Sequence, residues 1–574
     1  MSGSEHSEME AAFADSATDS ADRPIGDWDL RTWVLGALLA LTALALHFVT
    51  EGLDAPDAGE PEPWRAALAG FLFFGGLSAA FTLERGRLLA AALFALLIGL
   101  VMGGIAYNLI RLDERVAGGE FAFAAGVFFT LLALPLFQSD FHRTRLATDY
   151  RETHFHVWAD AVSGGGALAF TALSWLLLLL LNGLFGLVGI DLIADLMDEG
   201  WFAWTWSGAA FGAGLGVLRE NLKIIGALQN VVMVVFSLLA VPFAAALLVF
   251  LVLLLASGGK ALWEATDSAT PILLACGAGS FVLFNAIIRD RDAERSRSRV
   301  MQGAAALLAA GILPLVVFAA ISMGIRIDQY GLAPERIWAL IAIAVAAAYG
   351  LAAWVALARG RLAGWSEALR QANLRLAAGV CVVALVLAMP LWDFGAFSAR
   401  NQVARLESGK VSAEQFDFAA LRWDFGDAGR AVLAELAAGE GEVAEQASAA
   451  EAQTVRVYDW QREQVLAGFT GALRVQPQDP VVEASVREYL AANPWLCGDY
   501  CVAVDLGENT KGQREVAIVQ RFGFERVVLD GTSASPVAAP AKPVELQRDS
   551  QVEIREETVR YIYVDGERIG GPVD

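Results

Sequence analysis

About eleven apolar stretches of roughly 17 to 33 residues follow one another between Arg31 and Phe394, separated by short hydrophilic gaps. Each can cross about 30 Å of hydrocarbon as an α-helix, in which every backbone hydrogen bond is internal. Composition agrees, because 56% hydrophobic and only 18% charged residues are hard to reconcile with a soluble chain of 574 residues. The sequence therefore predicts an α-helical polytopic membrane protein, with the lipid bilayer as its first partner. The stretches are residues 31–49, 65–83, 88–110, 121–138, 166–190, 201–218, 224–256, 270–288, 300–323, 337–357 and 376–394.

Two of these stretches depart from a simple crossing. Residues 201–218 form a short, Gly-rich segment, and residues 224–256 form a segment that is long for one span and contains Pro242. A long apolar segment can tilt, kink at proline or hold an interfacial helix before the crossing. The sequence leaves open whether each of the two is a single full crossing.

The gaps between the stretches alternate in positive charge. Lys and Arg number sixteen in gaps 84–87, 139–158, 219–223, 289–299 and 358–375, and six in gaps 50–65, 111–120, 191–200, 257–269 and 324–336. Short loops rich in Lys and Arg stay in the cytoplasm. Eleven crossings then place the N-terminus inside and the C-terminal domain outside. The five arginines of 289–299 have two interpretations, topology alone or binding of anionic headgroups.

Charge and composition argue against a signal peptide and against a nucleic-acid partner. Residues 1–30 are polar and acidic where a signal peptide carries Lys or Arg, so we expect a disordered cytoplasmic segment and no cleaved leader. The formal net charge of −22 argues against nucleic acid as a partner, because phosphate binding needs a clustered basic face.

From residue 395 onward the composition is that of a globular domain. Residues 395–455 combine helical periodicity with turn signals, and the part 438–455 is typical of a solvated helix or a linker. Within residues 456–574, β-branched and aromatic runs such as CVAVDL and REVAIVQ alternate with turn-like segments. We expect an extracytoplasmic helical segment, then a soluble α+β domain with a small antiparallel sheet.

Two of the four cysteines, Cys497 and Cys501, lie in this C-terminal domain as CGDYC. Two cysteines separated by only three residues can form a small disulfide loop in an oxidising compartment. A thioredoxin-like centre wants two intervening residues rather than three, and a structural zinc site needs further ligands, yet no histidine follows His156. A disulfide and free thiols remain as the two interpretations.

Three sequence elements carry a family resemblance: IRIDQYGLAPERIW at 325–338, LWDFGAFSARNQVARLESGKV at 391–411 and FDFAALRWDFG at 416–426. With these elements the membrane region, over roughly residues 28–426, resembles the bacterial family described as domain of unknown function 4153. A Tyr-Gly-x-Thr/Ser-x-x-Arg element follows a transmembrane helix in that family. Tyr330, Gly331 and Arg336 match it, and Ala333 stands where a hydroxyl residue is common. The resemblance implies a multi-pass inner-membrane protein of uncharacterised role and brings no activity.

The gap between the ninth and tenth stretches is the first candidate site. It contains Arg326, Asp328, Tyr330, Glu335 and Arg336. Two guanidiniums and a phenol beside a helix mouth can hold an anionic headgroup or a carboxylate through bidentate hydrogen bonds, with Arg326, Tyr330 and Arg336 as the binding residues. The alternative is an internal ion pair with Asp328 or Glu335 that holds the loop.

The gap 139–158 contains His142, His154 and His156. A His-x-His pair near carboxylates has metal-capable atoms, but on a helix the two side chains point about 200° apart. They could share a metal only in an extended segment. We therefore expect interfacial histidines beside Trp158 and no metal site.

Motifs for chemistry are absent from the sequence. Walker A, nucleophile-elbow and HExxH patterns do not occur, so no catalytic residue or cofactor is predicted. Apart from His47 and residues at their ends, the predicted stretches contain no Asp, Glu, Lys or Arg and carry only scattered amides such as Gln229, Asn230 and Asn285. Ion-coupled carriers usually keep ionisable groups near the midplane.

Two functional classes fit these features. The first is an envelope sensor, scaffold or assembly factor whose outer domain binds envelope proteins or lipids. The alternative is a transporter or lipid-handling protein. The discriminating feature is a polar, water-accessible cavity at mid-depth of the bundle. A cavity lined by the amides, or one opening beside Arg326 and Arg336, would favour the second class, and a closed apolar bundle the first.

Overall fold

The structure is a computed structural model that describes residues 31–52, 62–258, 262, 269–453, 456, 472–493, 496–497, 500–508, 514–520, 523–530, 533–536, 560–564 and 567–573. The acidic segment 1–30 lies outside the described residues. The chain divides into two compact units, Met1–Ser412 with Asp424–Val432, and Ala413–Trp423 with Leu433–Asp574.

The first unit is built from helices, as the apolar stretches predict. Among the residues that the structure describes, ten helical segments are long and apolar enough to cross a membrane, which confirms the polytopic helical class. The 55-residue helix of Pro334–Ala388 supplies two of them, Pro334–Gly360 and Gly364–Ala388. The helices of this unit are α1 (Arg31–Thr50), α2 (Pro63–Thr82), α3 (Leu88–Leu112), α4 (Gly119–Gln138), α5 (Phe141–Thr144), α6 (Tyr150–Gly186), α7 (Leu192–Asp198), α8 (Gly200–Glu220), α9 (Leu222–Ala256), α10 (Thr270–Ile288), α11 (Arg299–Tyr330), α12 (Pro334–Ala388) and α13 (Phe394–Glu407).

Helix α12 is bent sharply between its two apolar halves. A Cβ added at Gly360 would overlap the backbone of Trp365, five residues later, which a straight helix keeps well apart. Trp338, near the start of α12, packs edge to face against Phe394, beyond its end, with ring centroids 5.4 Å apart. The two halves therefore form a hairpin that returns the chain to the face where α12 began.

Helix α8 covers the weak stretch 201–218 and is not among the ten apolar segments. It nevertheless lies antiparallel to α1 over the full length of that helix: Gly200 lies beside His47, and Gly216 lies beside Thr32. Because α1 is a membrane-length helix, α8 connects the same two faces of the bundle.

Glycines explain how α1 and α8 approach so closely. Gly208, Gly212 and Gly216 recur every four residues on one side of α8, and a Cβ at each would overlap the backbone of α1. At Gly212 the overlapping atom is the carbonyl oxygen of Leu35. Small residues at this spacing let helix backbones pack closely in lipid, where dispersion contacts replace the hydrophobic effect.

Contacts among the loops sort the helix ends onto two faces. One face, called the basic face below, is defined by Arg87 bonded to Asp140 at 2.7 Å, Arg31 bonded to the Arg219 carbonyl at 3.1 Å, and Ser366 bonded to Asp292 at 2.8 Å. The opposite face is defined by Arg65 bonded to the Val49 carbonyl at 2.8 Å, Phe121 stacked on Trp338 at 6.0 Å, and the Leu332 N–H bonded to Asn401 at 2.9 Å. The loops meet in the same two sets as the alternating gaps of the sequence.

Several helices extend beyond the predicted stretches at their polar ends. Helix α6 begins at Tyr150 instead of residue 166, and Gly364–Ala388 begins before residue 376. A helix need not end where its apolar composition ends, because the part that extends beyond the hydrocarbon can be solvated or packed against loops. Ionisable residues such as His154, Asp160 and Arg370 therefore lie within the helices, although they fall outside the predicted stretches.

The main apolar core of this unit lies between α9, α10, α11 and α12. Leu308, Leu315 and Ala319 of α11 are fully buried there, together with Phe284 of α10. Helix α11 thus occupies the centre of this half of the bundle.

The second unit contains helices and a mixed sheet. Its strands are β1 (Ala472–Gln476), β2 (Tyr500–Glu508), β3 (Arg514–Gln520), β4 (Gly523–Asp530) and β5 (Ser533–Pro536), in that spatial order, and a separate hairpin of β6 (Arg560–Val564) and β7 (Glu567–Val573). Helices outside the sheet are α14 (Phe418–Trp423), α15 (Gly426–Ala437, shared between the units) and α16 (Glu442–Glu451). Ala444, Ala447 and Ala450 give α16 a buried side, so the segment 438–455 contains a packed helix.

The predicted antiparallel sheet is present over β2 to β5, but β1 pairs with β2 in parallel. Helix α17 (Pro480–Ala492) makes the crossover between them. Its Val482, Val486 and Leu490 are fully buried against the sheet. The expectation of a soluble α+β domain is thereby confirmed, with a βαβ unit that the strand pattern alone did not predict.

One arginine joins this crossover to the sheet. Arg514 pairs with Asp505 at 2.6 Å and with Asp479, the N-cap of α17, at 2.7 Å. Hydrogen bonds from Arg514 hold the pKa of both carboxyls below their usual range. The ion triad fixes the start of α17 over strands β2 and β3.

We expect Gly212→Val to lower the free energy of unfolding by about 2 kcal/mol or more, because the added side chain would force α1 and α8 apart. Gly165→Val is the matched control, since a Cβ at Gly165 meets nothing within 4 Å. Thermal unfolding of the full chain in detergent measures both. Equal losses for the two variants would show that α1 and α8 are not closely packed.

Candidate functional site

The turn between α11 and α12 brings together the residues of the first candidate site. Only residues 331–333 are outside a helix: Arg326 and Asp328 lie in the last turns of α11, Tyr330 ends it, and Arg336 lies in the first turn of α12. The stretch of residues 327–332 is called the outer turn below. It lies on the opposite face of the bundle, away from the basic loops.

Arg336 is bonded to the outer turn itself. Its Nη1 donates to the carbonyl of Gly331 at 2.7 Å and to the carbonyl of Tyr330 at 3.1 Å. Its guanidinium also lies 5.6 Å from the ring centroid of Tyr330. Two of the three predicted binding residues are therefore in contact, and Arg336 uses donors to hold the turn.

Asp328 has a partner that the sequence did not indicate. It forms an ion pair with Lys410, a residue 82 positions later in the chain that follows the end of α13. This pair differs from the internal ion pair considered for the loop, because its cation comes from the segment that leaves the last membrane-length helix and not from Arg326 or Arg336.

Arg405 of α13 is the central residue of the outer turn contact, and sequence reasoning missed it. Its side chain is buried, and its guanidinium donates to the carbonyls of Asp328 and Gln329 at 2.8 Å each and of Ile327 at 3.4 Å. The last carbonyls of a helix have no partner within the helix and carry its negative dipole end. A buried guanidinium therefore satisfies the C-terminus of α11.

Two amides complete the contact between α13 and the outer turn. Gln402 donates to the carbonyls of Tyr330 at 2.8 Å and Leu332 at 2.9 Å, and Asn401 accepts from the Leu332 N–H. Gly331 has φ +74°, and a Cβ there would lie 2.7 Å from Gln402, so this position suits only glycine. Asn401, Gln402 and Arg405 are together called the clamp below.

A second buried arginine caps a helix on the basic face. Arg370 is 1% exposed and donates to the carbonyls of Ile288 at 2.7 Å and Arg289 at 3.0 Å, at the C-terminus of α10. It also pairs with Asp292 and Glu367 at 3.0 Å each. Burial alone would raise the pKa of Asp292, but hydrogen bonds from Ser366 and Arg370 outweigh it and hold that pKa low.

A polar cavity of about 380 Å³ opens on the basic face between α6, α9 and the loop after α10. It contains two of the amides that the sequence singled out, Gln229 and Asn230. The residues lining it are His154, Phe155, Gly226, Gln229, Asn230, Met233, Arg289, Asp290, Arg291 and Glu294. This volume is called the basic-face cavity below.

A small buried network lies close to this cavity. Asn285 accepts from Asn373 at 3.2 Å and from the Tyr150 hydroxyl at 3.4 Å. The three side chains come from α10, α12 and α6 and tie these helices together. Asn285 thus contributes to packing between helices and does not line the basic-face cavity.

The three histidines do not come together. His154 and His156 lie on α6, where His154 is buried and lines the basic-face cavity. His142 lies on α5 and stacks on Phe137, with ring centroids 5.2 Å apart. Within the described residues no group of three or more His, Cys, Asp or Glu side chains is placed to hold a metal ion.

Cys497 and Cys501 are bonded to each other in the second unit, just before and at the start of β2. Both are buried against the sheet, at 6% and 1% exposure. Cys276 and Cys381 are free thiols in α10 and α12. The bonded pair closes the loop that leads into the sheet.

Comparison with known proteins identifies a matching family. The family model described as a domain of unknown function, DUF4153, matches residues 66–436. No curated protein and no solved structure matches this chain. The matched range includes both the outer turn and the clamp.

We expect Arg405→Gln to lower the free energy of unfolding by about 2 to 4 kcal/mol, because a buried charged donor and its carbonyl partners all lose hydrogen bonds. Arg400→Gln is the matched control on the same helix: Arg400 is exposed, and its Nε bonds only to its own helix, at the Ala396 carbonyl. Thermal unfolding of the full chain in detergent compares them. If the control loses as much stability, Arg405 does not cap α11.

Proposed function

This chain belongs to the family described as a domain of unknown function (DUF4153), and from that premise we propose that it is an integral inner-membrane protein that anchors an extracytoplasmic C-terminal domain. In this role it acts as a sensor, scaffold or assembly factor of the bacterial envelope. We place the bundle at residues 31–394, the helical segment at 395–455 and the α+β domain at 456–574.

The observation that carries the proposal is the clamp. The chain leaves its last membrane-length helix at Ala388 and immediately docks α13 back onto the outer turn through Arg405, Gln402 and Asn401. A bundle whose only task was transport would have no need to fix its exit segment to the end of its most buried helix. Rigid fixation suits a protein that presents or monitors a domain attached to that exit segment.

Charge and cysteine chemistry support the sidedness. The basic face carries the loops with sixteen Lys and Arg residues, which favours the cytoplasmic side for it. Counting α8 with the ten apolar segments gives eleven crossings. Because the number is odd and the N-terminus is placed in the cytoplasm, α13 then lies on the extracytoplasmic side. The bond between Cys497 and Cys501 is consistent with an oxidising compartment for the second unit.

A transporter or lipid-handling protein is the second candidate. The basic-face cavity favours it, because Gln229 and Asn230 line a polar volume of about 380 Å³. Asn230 lies eight residues into α9, about 12 Å from its start, so this cavity lies near one end of the helix rather than at mid-depth. An end position suits ligand binding more than passage through the bundle.

Cysteine labelling tests the sidedness. In a chain whose Cys276 and Cys381 are replaced by Ala, we expect Ser448→Cys to react with an impermeant maleimide in intact spheroplasts, and Arg297→Cys to react only after lysis. Both positions are exposed, so accessibility depends on the compartment. The reversed pattern would put the C-terminal domain in the cytoplasm and contradict the proposal.

Complementation tests the role. In a strain that lacks the chain, we expect the full-length protein and its Arg400→Gln control to restore the envelope lipid and transcript profiles, and a membrane-inserted Arg405→Gln chain to fail. The reason is that this substitution releases α13 while leaving the bundle helices in place. If Arg405→Gln restores both profiles while Asn230→Asp does not, the transporter or lipid-handling function replaces the proposed one.

A further inference from the structure

The basic-face cavity is shaped like a binding site. Met233 and His154, at 2% and 7% exposure, form its buried base, whereas Asn230, Arg291 and Glu294 are exposed at its rim. Its volume of about 380 Å³ is far above the roughly 15 Å³ that a cavity needs to hold one water molecule. The cavity therefore has room for a polar group larger than a few waters.

Helix length places this cavity at the depth of lipid headgroups. Helices α6 and α9 have 37 and 35 residues, so each spans more than about 50 Å, against about 30 Å of hydrocarbon. The cavity is lined by residues near the beginning of both helices, where they extend beyond the hydrocarbon. A headgroup or a soluble molecule can reach it from the basic face.

The cavity lining carries two arginines and two carboxylates, and Arg151 beside it adds a third cation, so one cation is in excess. Glu294 pairs with Arg291 at 2.9 Å, and Asp290 is shared between Arg291 at 3.7 Å and Arg151 at 3.8 Å. Both carboxylates thus have arginine neighbours, and the Oδ1 atom of Asp290 is buried without a hydrogen-bond partner in the described part of the chain. Arg289 has no carboxylate partner among the described residues, and its Nη1 donates instead to the amide oxygen of Asn230 at 2.8 Å.

The backbone holds Arg289 in place for this role. Its φ of +52° and ψ of −159° are costly for a residue other than glycine. The conformation is held by the buried Arg370, which binds the carbonyls of Ile288 and Arg289, and by the bond from the Arg289 N–H to the Asn285 carbonyl. The backbone of Arg289 is thus fixed beside the cavity, which its side chain lines.

The donors of the cavity match an anion. The bond from Arg289 uses the Asn230 oxygen, so the Nδ2 group of Asn230 remains a donor, and Gln229 contributes a second amide. We propose that the basic-face cavity binds the phosphate group of an anionic phosphate ester, with Arg289 as the charged donor and Asn230 and Gln229 as neutral donors. This site goes beyond the anchoring role and does not depend on it.

Native mass spectrometry of the full chain in neutral detergent tests the site, with dioleoyl phosphatidylglycerol as the probe. We expect the wild-type chain to retain one lipid, and Arg289→Gln to weaken its binding about tenfold or more through loss of a charge-assisted hydrogen bond. The matched control is Arg297→Gln, which removes the same charge from an exposed position of the same loop outside the cavity. It should change binding less than twofold.

A second variant protects the test against misfolding. Asn230→Asp would give Arg289 a carboxylate partner at an exposed position, and this carboxylate would compete with the bound phosphate. We expect the substitution to weaken lipid binding about tenfold while the chain stays monodisperse. Equal effects of Arg289→Gln and Arg297→Gln, or retention of lipid by Asn230→Asp, would show that binding is general surface attraction and overturn the proposal.

Two further probes distinguish the source of the phosphate. Diacylglycerol, which lacks the phosphate, should not bind in an Arg289-dependent way, and binding that depends on Arg289 would contradict the proposal. Glycerol phosphate that displaces the lipid from the wild-type chain identifies a soluble ester as ligand. Failure of glycerol phosphate to compete, with Arg289-dependent lipid binding intact, identifies an inner-leaflet phospholipid.

Discussion

Backbone hydrogen bonding without water is the constraint on which the rest of this structure depends. Within hydrocarbon each N–H and C=O must find a partner inside its own helix, which leaves unpaired carbonyls only at the helix C-termini. Two of those ends are capped by buried arginines: Arg405 for α11 and Arg370 for α10. Both caps come from segments far along the chain, so the hydrogen bonds that cap the helix ends are also tertiary contacts between distant segments.

The two caps differ in their surroundings. Arg370 is paired with Asp292 and Glu367, so its charge is balanced by acids. Arg405 is bonded to backbone carbonyls of the outer turn, and the acid beside it, Asp328, is paired with Lys410. One face thus joins loops around a polar cavity, while the other joins the exit segment α13 to the bundle. This asymmetry agrees with the proposed anchoring role on one face and the proposed binding site on the other.

Close helix packing gives the bundle its second organising feature. The glycines of α8 let it lie directly on α1, although α8 is not among the ten segments that are apolar enough to cross a membrane. In lipid such a helix is held by backbone contact with its neighbour rather than by hydrophobicity. The first helix and the eighth therefore behave as one packing unit despite the long stretch of chain between them.

The sequence by itself determined the membrane class, the approximate helices, the alternation of loops and the α+β character of the C-terminal domain. These features depend on local composition and period, which each segment carries without reference to the others. It also identified Tyr330 and Arg336 as neighbours and Gln229 and Asn230 as unusual amides in an apolar helix. Only the tertiary structure decided that Arg405 binds residues 76 to 78 positions away, that β1 is parallel to β2, and that Arg289 faces a cavity while Arg297 does not. Those outcomes depend on which distant segments meet, and no local pattern of charge or hydropathy specifies that.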